Sequence, residues 1–179
     1  MERKRGNKKK ERKGPRHLVW TLSVCAVLYV LDALLVGLPS LGTFLCVVFM
    51  LTNFVAFLWQ RKGDRAIVLK YGIRSLTLCL TVLAILSTFL FNRHLGHVNA
   101  RLIIKAVEDY RVEKGKYPER LADLVPQYFS KVPRAAIRFS SNKYYYLHHK
   151  DYHSLMWAEA PPFGRRTYHF ENKEWSYID

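Results

Sequence analysis

Four histidines near the C-terminal end are the residues of this sequence best suited to chemistry. They are His148, His149, His153 and His169. Imidazole nitrogens bind transition metals when two or more of them converge on one point. Neighbouring residues of a strand point to opposite faces, so His148 and His149 should diverge, whereas His149 and His153 flank a turn and can converge. We expect exposed polar positions here, and the sequence predicts no metal site and no cofactor.

Catalytic motifs are missing from the sequence. Serine, histidine and aspartate all occur, but no nucleophile elbow orders them into a triad. A P-loop, a Gly-rich dinucleotide turn, a zincin helix and a paired-carboxylate signature are also missing. We therefore predict a non-enzymatic protein and assign no catalytic residue.

Asp32 is an ionisable residue inside an apolar stretch, a position that suggests a function by default. It lies near the end of that stretch, where headgroup water, Asn53 or a backbone donor can satisfy it. We expect no relay or transport role, because the apolar stretches offer no second charge to receive a proton. Three cysteines in apolar stretches are expected to be packing residues: Cys25, Cys46 and Cys79.

Three apolar stretches are long enough to cross about 30 Å of hydrocarbon as helices. They cover residues 18–38, 41–59 and 75–93. The turn Gly37–Ser40, with Pro39 as a helix breaker, joins the first two into a hairpin. A cleaved signal peptide competes for the first stretch, but that run is too long and no small-x-small cleavage site closes it. The sequence thus predicts three transmembrane helices.

The net charge of +15 is concentrated beside these stretches. Residues 1–17 hold nine Lys or Arg against two Glu, and residues 60–74 hold five against one Asp. Positive segments stay in the cytoplasm, so both are expected there and the chain after residue 93 is expected outside. The 1–17 tail should be disordered and should bind anionic headgroups. Docking to an acidic protein stays open, and nucleic-acid binding is disfavoured because the tail lacks aromatic residues for stacking.

The third span is predicted to continue beyond the membrane into a C-terminal domain, residues 94–179. Apolar residues recur every three or four positions from Leu95 to Tyr110, which predicts one long helix. That helix should end at about Lys114, before Gly115.

A small antiparallel sheet is predicted after a short helix over Pro118–Leu124. Alternating segments rich in Tyr, Trp and Phe indicate four strands, which together with the long helix give an α+β fold. The strands are Tyr144–His148, His153–Ala158, Thr167–Glu171 and Trp175–Ile178, with turns at Lys150–Asp151 and Asn172–Lys173 and a wider loop at Pro161–Gly164.

A family resemblance is carried by residues 106–133. They read AVEDYRVEKGKYP, then LADLVPQYF, then VP. This order of helix end, turn, Leu-Val-Pro segment and sheet resembles the core of type II secretion pseudopilins and related pilin-like proteins. The resemblance covers about residues 75–179 and implies a helix that leaves the membrane and packs on a sheet, without catalysis. The matched structural positions are Tyr110, Gly115, Tyr117, Pro118, Leu121, Leu124, Val125, Pro126, Tyr128 and Pro133.

A clear prepilin peptidase motif is missing. Gly72 stands where the family is cleaved, but Leu76 or Thr77 occupies the position of the family's acidic residue. The C-terminal acidic residues also lack the spacing of the calcium site of major pseudopilins. Cleavage at Gly72 stays open, and we expect a pilin-like domain that remains in the membrane.

The three apolar stretches predict a multi-pass protein, and the resemblance implies the bacterial inner membrane with a periplasmic C-terminal domain. We expect this domain to bind an envelope protein of secretion or pilus machinery through aromatic residues of its sheet. The candidate interaction residues are Tyr144, Tyr146, Trp157 and Trp175. A ligand- or signal-sensing module that reports inward through its tail is the alternative, and an enzyme or transport subunit is a third interpretation.

Overall fold

The computed structural model describes residues 16–36, 41–59, 65–160 and 164–178. Four parts of the predicted organisation lie outside these ranges: the basic tail up to residue 15, the turn 37–40, the loop 60–64 and residues 161–163 of the wide loop. Within the described ranges the chain forms three helices followed by a four-stranded antiparallel sheet, so the α+β class is confirmed.

Three helices make up the N-terminal part of the described chain, up to Lys114. α1 spans Arg16–Tyr29 and continues directly into a π-helical segment, Val30–Val36. α2 spans Leu41–Trp59. α3 spans Arg65–Lys114, 50 residues without interruption, which confirms one long helix reaching into the C-terminal domain. Gly115 ends α3 with a φ of 72°, a left-handed conformation that glycine adopts without a steric penalty.

The apolar lengths of these helices differ. Gly42–Trp59 of α2 and part of α3 are long and apolar enough to cross a membrane, while Val19–Leu35 is a shorter apolar helix. By length and composition, the prediction of three membrane-length helices is therefore supported for two and not for three. The first helix ends at Val36, and the predicted residues 37 and 38 lie outside the described ranges.

The three helices pack through a small buried cluster formed by Cys25, Cys46 and Leu78. All three cysteines are free thiols, and Cys25 and Cys46 are buried, as their apolar context predicted. A cross-helix hydrogen bond joins the Tyr29 hydroxyl to Oγ1 of Thr88 at 3.0 Å. Large apolar side chains cover the outward faces of the bundle and remain exposed.

Asp32 fastens the π-helical segment to the start of α2. Its carboxylate accepts hydrogen bonds from the backbone N and from Oγ1 of Thr43, both at 2.6 Å. Free N–H groups and the helix dipole favour an anion at a helix N-terminus, so this backbone donor explains the buried charge. Gly42 leaves room for it, since a Cβ there would lie 2.9 Å from Oδ1 of Asp32. Asn53, the other expected partner, donates to the carbonyl of Phe49 instead.

The sheet is a meander in the order β1-β2-β3-β4. All three pairings are antiparallel. Four strands were predicted and the described residues form four; β3 begins at Gly164, three positions before the predicted Thr167. The predicted short helix over Pro118–Leu124 is a single 3₁₀ turn over Leu121–Leu124. The strands are β1 Tyr145–His149, β2 Tyr152–Ala160, β3 Gly164–His169 and β4 Glu174–Ile178.

The last turns of α3 pack on one face of this sheet and form the main core of the protein. Small and branched residues of the helix meet large rings of the strands, an arrangement that fills the space between a helix and a twisted sheet. The fully buried members include Ala100, Ile103 and Val107 on α3, Leu155 and Trp157 on β2, and Phe170, which directly follows β3.

Candidate functional site

The four predicted interaction residues belong to the packed face of the sheet. Tyr144 and Trp157 are buried, and Tyr146 packs against the same core. The Tyr144 hydroxyl donates to the carbonyl of Gly96 in α3 at 2.6 Å, and the rings of Trp157 and Trp175 meet edge to face with centroids 5.6 Å apart. Tyr144 and Trp157 fill the helix–sheet interface and Tyr146 is half-buried beside them, so Trp175 alone of the four is exposed. The assignment of these four residues to an interaction surface stays a prediction.

The opposite face of the sheet carries exposed apolar side chains. Strand alternation and the register place Tyr145 opposite Met156, and Ile178 opposite Arg165, on this face. Tyr145, Leu147 and Ile178 are each more than half exposed. Tyr145 and Leu147 lie on the edge strand β1 and Ile178 on the opposite edge strand β4. Exposed apolar side chains of this kind can contact another molecule.

A pocket of about 260 Å³ opens on this face beside the edge strand β1. An arginine and aromatic and thioether side chains surround it, a mixture that suits an acidic or amphipathic group of a partner. The lining residues are Ser141, Tyr145, Met156, Trp157, Ala158 and Arg165. We name the exposed face together with this pocket the outer sheet face.

A row of polar groups crosses the outer sheet face. His169 lies between two hydroxyls, with Nδ1 2.9 Å from the Tyr152 hydroxyl and Nε2 2.9 Å from Oγ of Ser176. A serine beside an imidazole forms a nucleophile–base pair, but the third group here is a phenol and not the carboxylate that orients the base in a triad. The arrangement suits hydrogen bonding to a partner better than acyl transfer.

The histidines divide between the two faces of the sheet. His148 and His153 are paired across β1 and β2 on the packed face, with ring centroids 4.8 Å apart, while His149 is paired with Tyr152 on the other face. His148 and His149 diverge as predicted, and His149 and His153 lie on opposite faces. His153 is buried and not at an exposed polar position. Among the described residues, no group of three or more His, Cys, Asp or Glu is arranged to hold a metal ion.

His153 is held by a carboxylate. Oε1 of Glu171 lies 2.8 Å from Nδ1 of His153 and also accepts a hydrogen bond from its backbone N–H at 2.8 Å. Burial opposes ionisation of Glu171, but the hydrogen bonds from His153 outweigh it and lower the pKa of this carboxyl. The pair fixes the turn after β3 to the start of β2.

A second buried carboxylate, Glu159 of β2, ties the sheet to α3. Its side chain is 4% exposed and accepts hydrogen bonds from Nε of Arg93 at 2.7 Å, Nε2 of His97 at 2.9 Å and Nε of Arg166 at 2.9 Å. Burial favours the neutral acid, yet these three hydrogen bonds prevail and lower its pKa. The sequence signal was an acidic residue in the inward phase of β2, one position beyond the predicted strand end at Ala158.

The family-motif tyrosines lie along the edge of the core. Tyr110 and Tyr128 have ring centroids 6.2 Å apart, and the ring of Tyr117 stacks on His153 at 4.2 Å. The Tyr128 hydroxyl donates to Glu113 at 2.6 Å, and this bond raises the pKa of Tyr128 to about 12. Together with the hydrogen bonds from Lys114 and Gln127 it lowers the pKa of Glu113 to about 2. The Tyr128 hydroxyl is therefore occupied as a hydrogen-bond donor to the Glu113 carboxylate.

The remaining positions of the sequence motif also pack in the core or form turns. Pro118 and Leu124 are fully buried, and Leu121 packs against the core. Val125 and Pro126 form the turn that follows the 3₁₀ helix, and Pro133 lies in the irregular segment beyond it. None of these residues borders the outer sheet face.

Comparison with protein-family models, with curated proteins and with solved structures found no match for this chain. The pseudopilin resemblance of residues 75–179 consequently stays a prediction.

Proposed function

We propose that this chain is an integral membrane protein that holds its α+β domain at the outer face of a membrane and binds a protein partner there. One observation carries the proposal, the unbroken length of α3. Its 50 residues correspond to about 75 Å at 1.5 Å per residue, more than twice the hydrocarbon thickness of a bilayer. The first half of α3 is apolar and largely exposed, and the second half packs under the sheet.

The orientation rests on charge. The basic segments 1–17 and 60–74 favour the cytoplasmic side, which leaves the sheet outside, and the tail suits anionic headgroups. The short apolar helix Val19–Leu35, together with α2, is proposed to form a hairpin beside α3 in the membrane. The resemblance of residues 75–179 to pseudopilins favours the bacterial inner membrane and a partner from secretion or pilus machinery.

The outer sheet face is the proposed docking surface. Its exposed Tyr145, Leu147 and Ile178 supply apolar contact area, and Arg165 beside the pocket supplies a cation that can pair with an acidic group. The face points away from α3, so a partner can reach it without disturbing the core. Docking of a partner on this face requires no covalent chemistry.

The test is photocrosslinking in cells from a photoreactive phenylalanine at position 145. The matched control carries the same residue at position 112, because Val112 is 85% exposed and lies on α3, outside the outer sheet face. We expect one protein adduct of defined mass from position 145, and its loss on Arg165→Glu. Equal adducts from both positions, or an adduct that Arg165→Glu leaves unchanged, would contradict the proposal.

A sensing module is the second candidate, favoured by a specific link between the domain and the hairpin. The backbone N–H of Phe139 donates to the carbonyl of Leu34 at 3.0 Å, so a change in the domain can reach the first helix. This candidate predicts that deletion of residues 2–14 abolishes signalling without changing membrane insertion. Partner capture unaffected by that deletion, with no signalling defect, would favour docking alone.

A further inference from the structure

The segment between the 3₁₀ turn and β1 contains an inverted pattern of exposure. Ile137 is 54% exposed and Phe139 is 72% exposed, while Arg138 between them is 2% exposed. A loop in water normally hides its apolar side chains and exposes its cations. We name residues 134–142 the junction loop.

The buried arginine satisfies the backbone of this loop. The Arg138 guanidinium donates to the carbonyls of Ser140 and Ser141 at 3.1 to 3.3 Å, and to the carbonyl of Ala158 in β2. Asn142 Nδ2 donates in turn to the carbonyl of Arg138 at 2.9 Å. Carbonyls that water would normally solvate are thus paired inside the protein.

Further backbone groups of the junction loop are paired as well. The N–H groups of Ala135 and Ile137 donate to the Asn142 carbonyl at 2.9 Å and to Oδ1 of Asn92 at 3.0 Å. The carbonyl of Arg134 accepts from Nδ2 of Asn99 at 2.8 Å. Internal pairing of irregular backbone is what a low-dielectric, water-poor environment requires.

The loop is tied to the level at which the apolar helices end. Phe139 N–H bonds to Leu34, and the Ser140 hydroxyl donates to the carbonyl of Leu35, the last residue of the short apolar helix. On α3 the anchor is Asn92, which directly follows the exposed apolar residue Phe91. Ile137 and Phe139 therefore continue the apolar surface of the helices.

From this geometry we propose that the junction loop inserts Ile137 and Phe139 into the outer leaflet of the bilayer, at the boundary between headgroups and acyl chains. The inference rests on the membrane placement under the proposed function. The flanking exposed cations Arg134 and Lys143 suit the phosphates of lipid headgroups. Insertion adds a second point of contact that fixes the tilt of the domain on the membrane.

The experiment places a photoreactive phenylalanine at position 139 of the whole chain, reconstituted in vesicles of phosphatidylcholine and phosphatidylglycerol. Position 54 is the membrane reference, since Phe54 is exposed on α2, and position 112 is the water-facing control. Adducts are identified by intact mass. We expect adducts of phospholipid mass at positions 139 and 54, and none at position 112. Position 137 repeats the measurement independently of any folding effect at 139.

The outcomes separate the two claims. Lipid adducts at 54 with none at 139 or 137 overturn the insertion of the loop and leave the membrane placement standing. Adducts of position 139 with a second copy of the chain, without lipid, also overturn it. No lipid adduct at position 54 overturns the proposed function itself, and the inference with it.

Discussion

Replacement of Glu159 by Gln tests how strongly the sheet is fastened to α3. Loss of one member of a buried ion pair costs about 3–5 kcal/mol when both partners are buried. Here the carboxylate is 4% exposed but Arg93 is 52% exposed, so water screens part of the interaction. Gln also keeps the volume and one acceptor. We expect Glu159→Gln to lower the free energy of unfolding by about 2 kcal/mol.

A loss of this size corresponds to a Tm decrease of about 10 °C for a domain of this length. Near-UV circular dichroism of the purified chain in detergent reports it, because Trp157 lies 5.5 Å from His97 of the cluster, centroid to centroid. Glu119→Gln is the matched control, since Glu119 is an exposed carboxylate. A Tm for Glu159→Gln equal to that of the control would refute the role assigned to the cluster.

The same variant carries a pH signature. The pKa of Glu159 is lowered in the folded protein. Its contribution to the free energy of unfolding is therefore complete above the ordinary Glu pKa of about 4.3, and it is lost as the pH falls through the pKa of Glu159 in the folded protein. The stability difference between wild type and Glu159→Gln should therefore be constant near neutral pH and shrink below about pH 4. A difference that grows on acidification would show that the sign is wrong.

Three further substitutions probe separate contacts. Gly96→Val places a Cβ 2.9 Å from Nε1 of Trp157, and overpacking of this kind should cost about 1–3 kcal/mol, measured as a Tm decrease; an unchanged Tm would contradict the close approach. Gly115→Ala has free space but a positive φ, so a loss of about 1 kcal/mol from backbone strain is expected in the same melt, and a gain would refute it. Asp32→Asn removes the negative charge at the start of α2, so we expect faster proteolysis near Thr43 in detergent than in the wild type. Identical cleavage kinetics would count against a stabilising role of the Asp32 carboxylate at this helix N-terminus.

The strongest sequence signals were local and periodic. The apolar repeat on either side of Asn92, with no Gly-Pro break, predicted one helix through to Lys114, and Gly115 supplied its end. The alternation of aromatic residues predicted four strands because each strand reports its own period. These features depend on residues that are neighbours in the sequence, and so they could be predicted from the sequence alone.

Which aromatic residues are exposed could not be predicted from the sequence in the same way. Period two separates the faces of a strand but does not say which face meets the helix. Trp157 and Tyr144 were therefore assigned to a surface, whereas Gly96 leaves the space that admits the Trp157 ring beside α3. The Glu159 cluster was missed for a related reason, since Arg93 is far from it in sequence and is brought near only by the packing of β2 on α3.

The sidedness of α3 is the most direct test of the central claim. Single cysteines at positions 112 and 69, where Val112 and Leu69 are both exposed, report its two ends in a background without the native cysteines. A membrane-impermeant maleimide is added to intact spheroplasts before and after permeabilisation. If α3 crosses the membrane with the sheet outside, position 112 is labelled in intact spheroplasts and position 69 only after permeabilisation. Labelling of both positions from the same side would contradict a helix that crosses the membrane and carries the sheet outside.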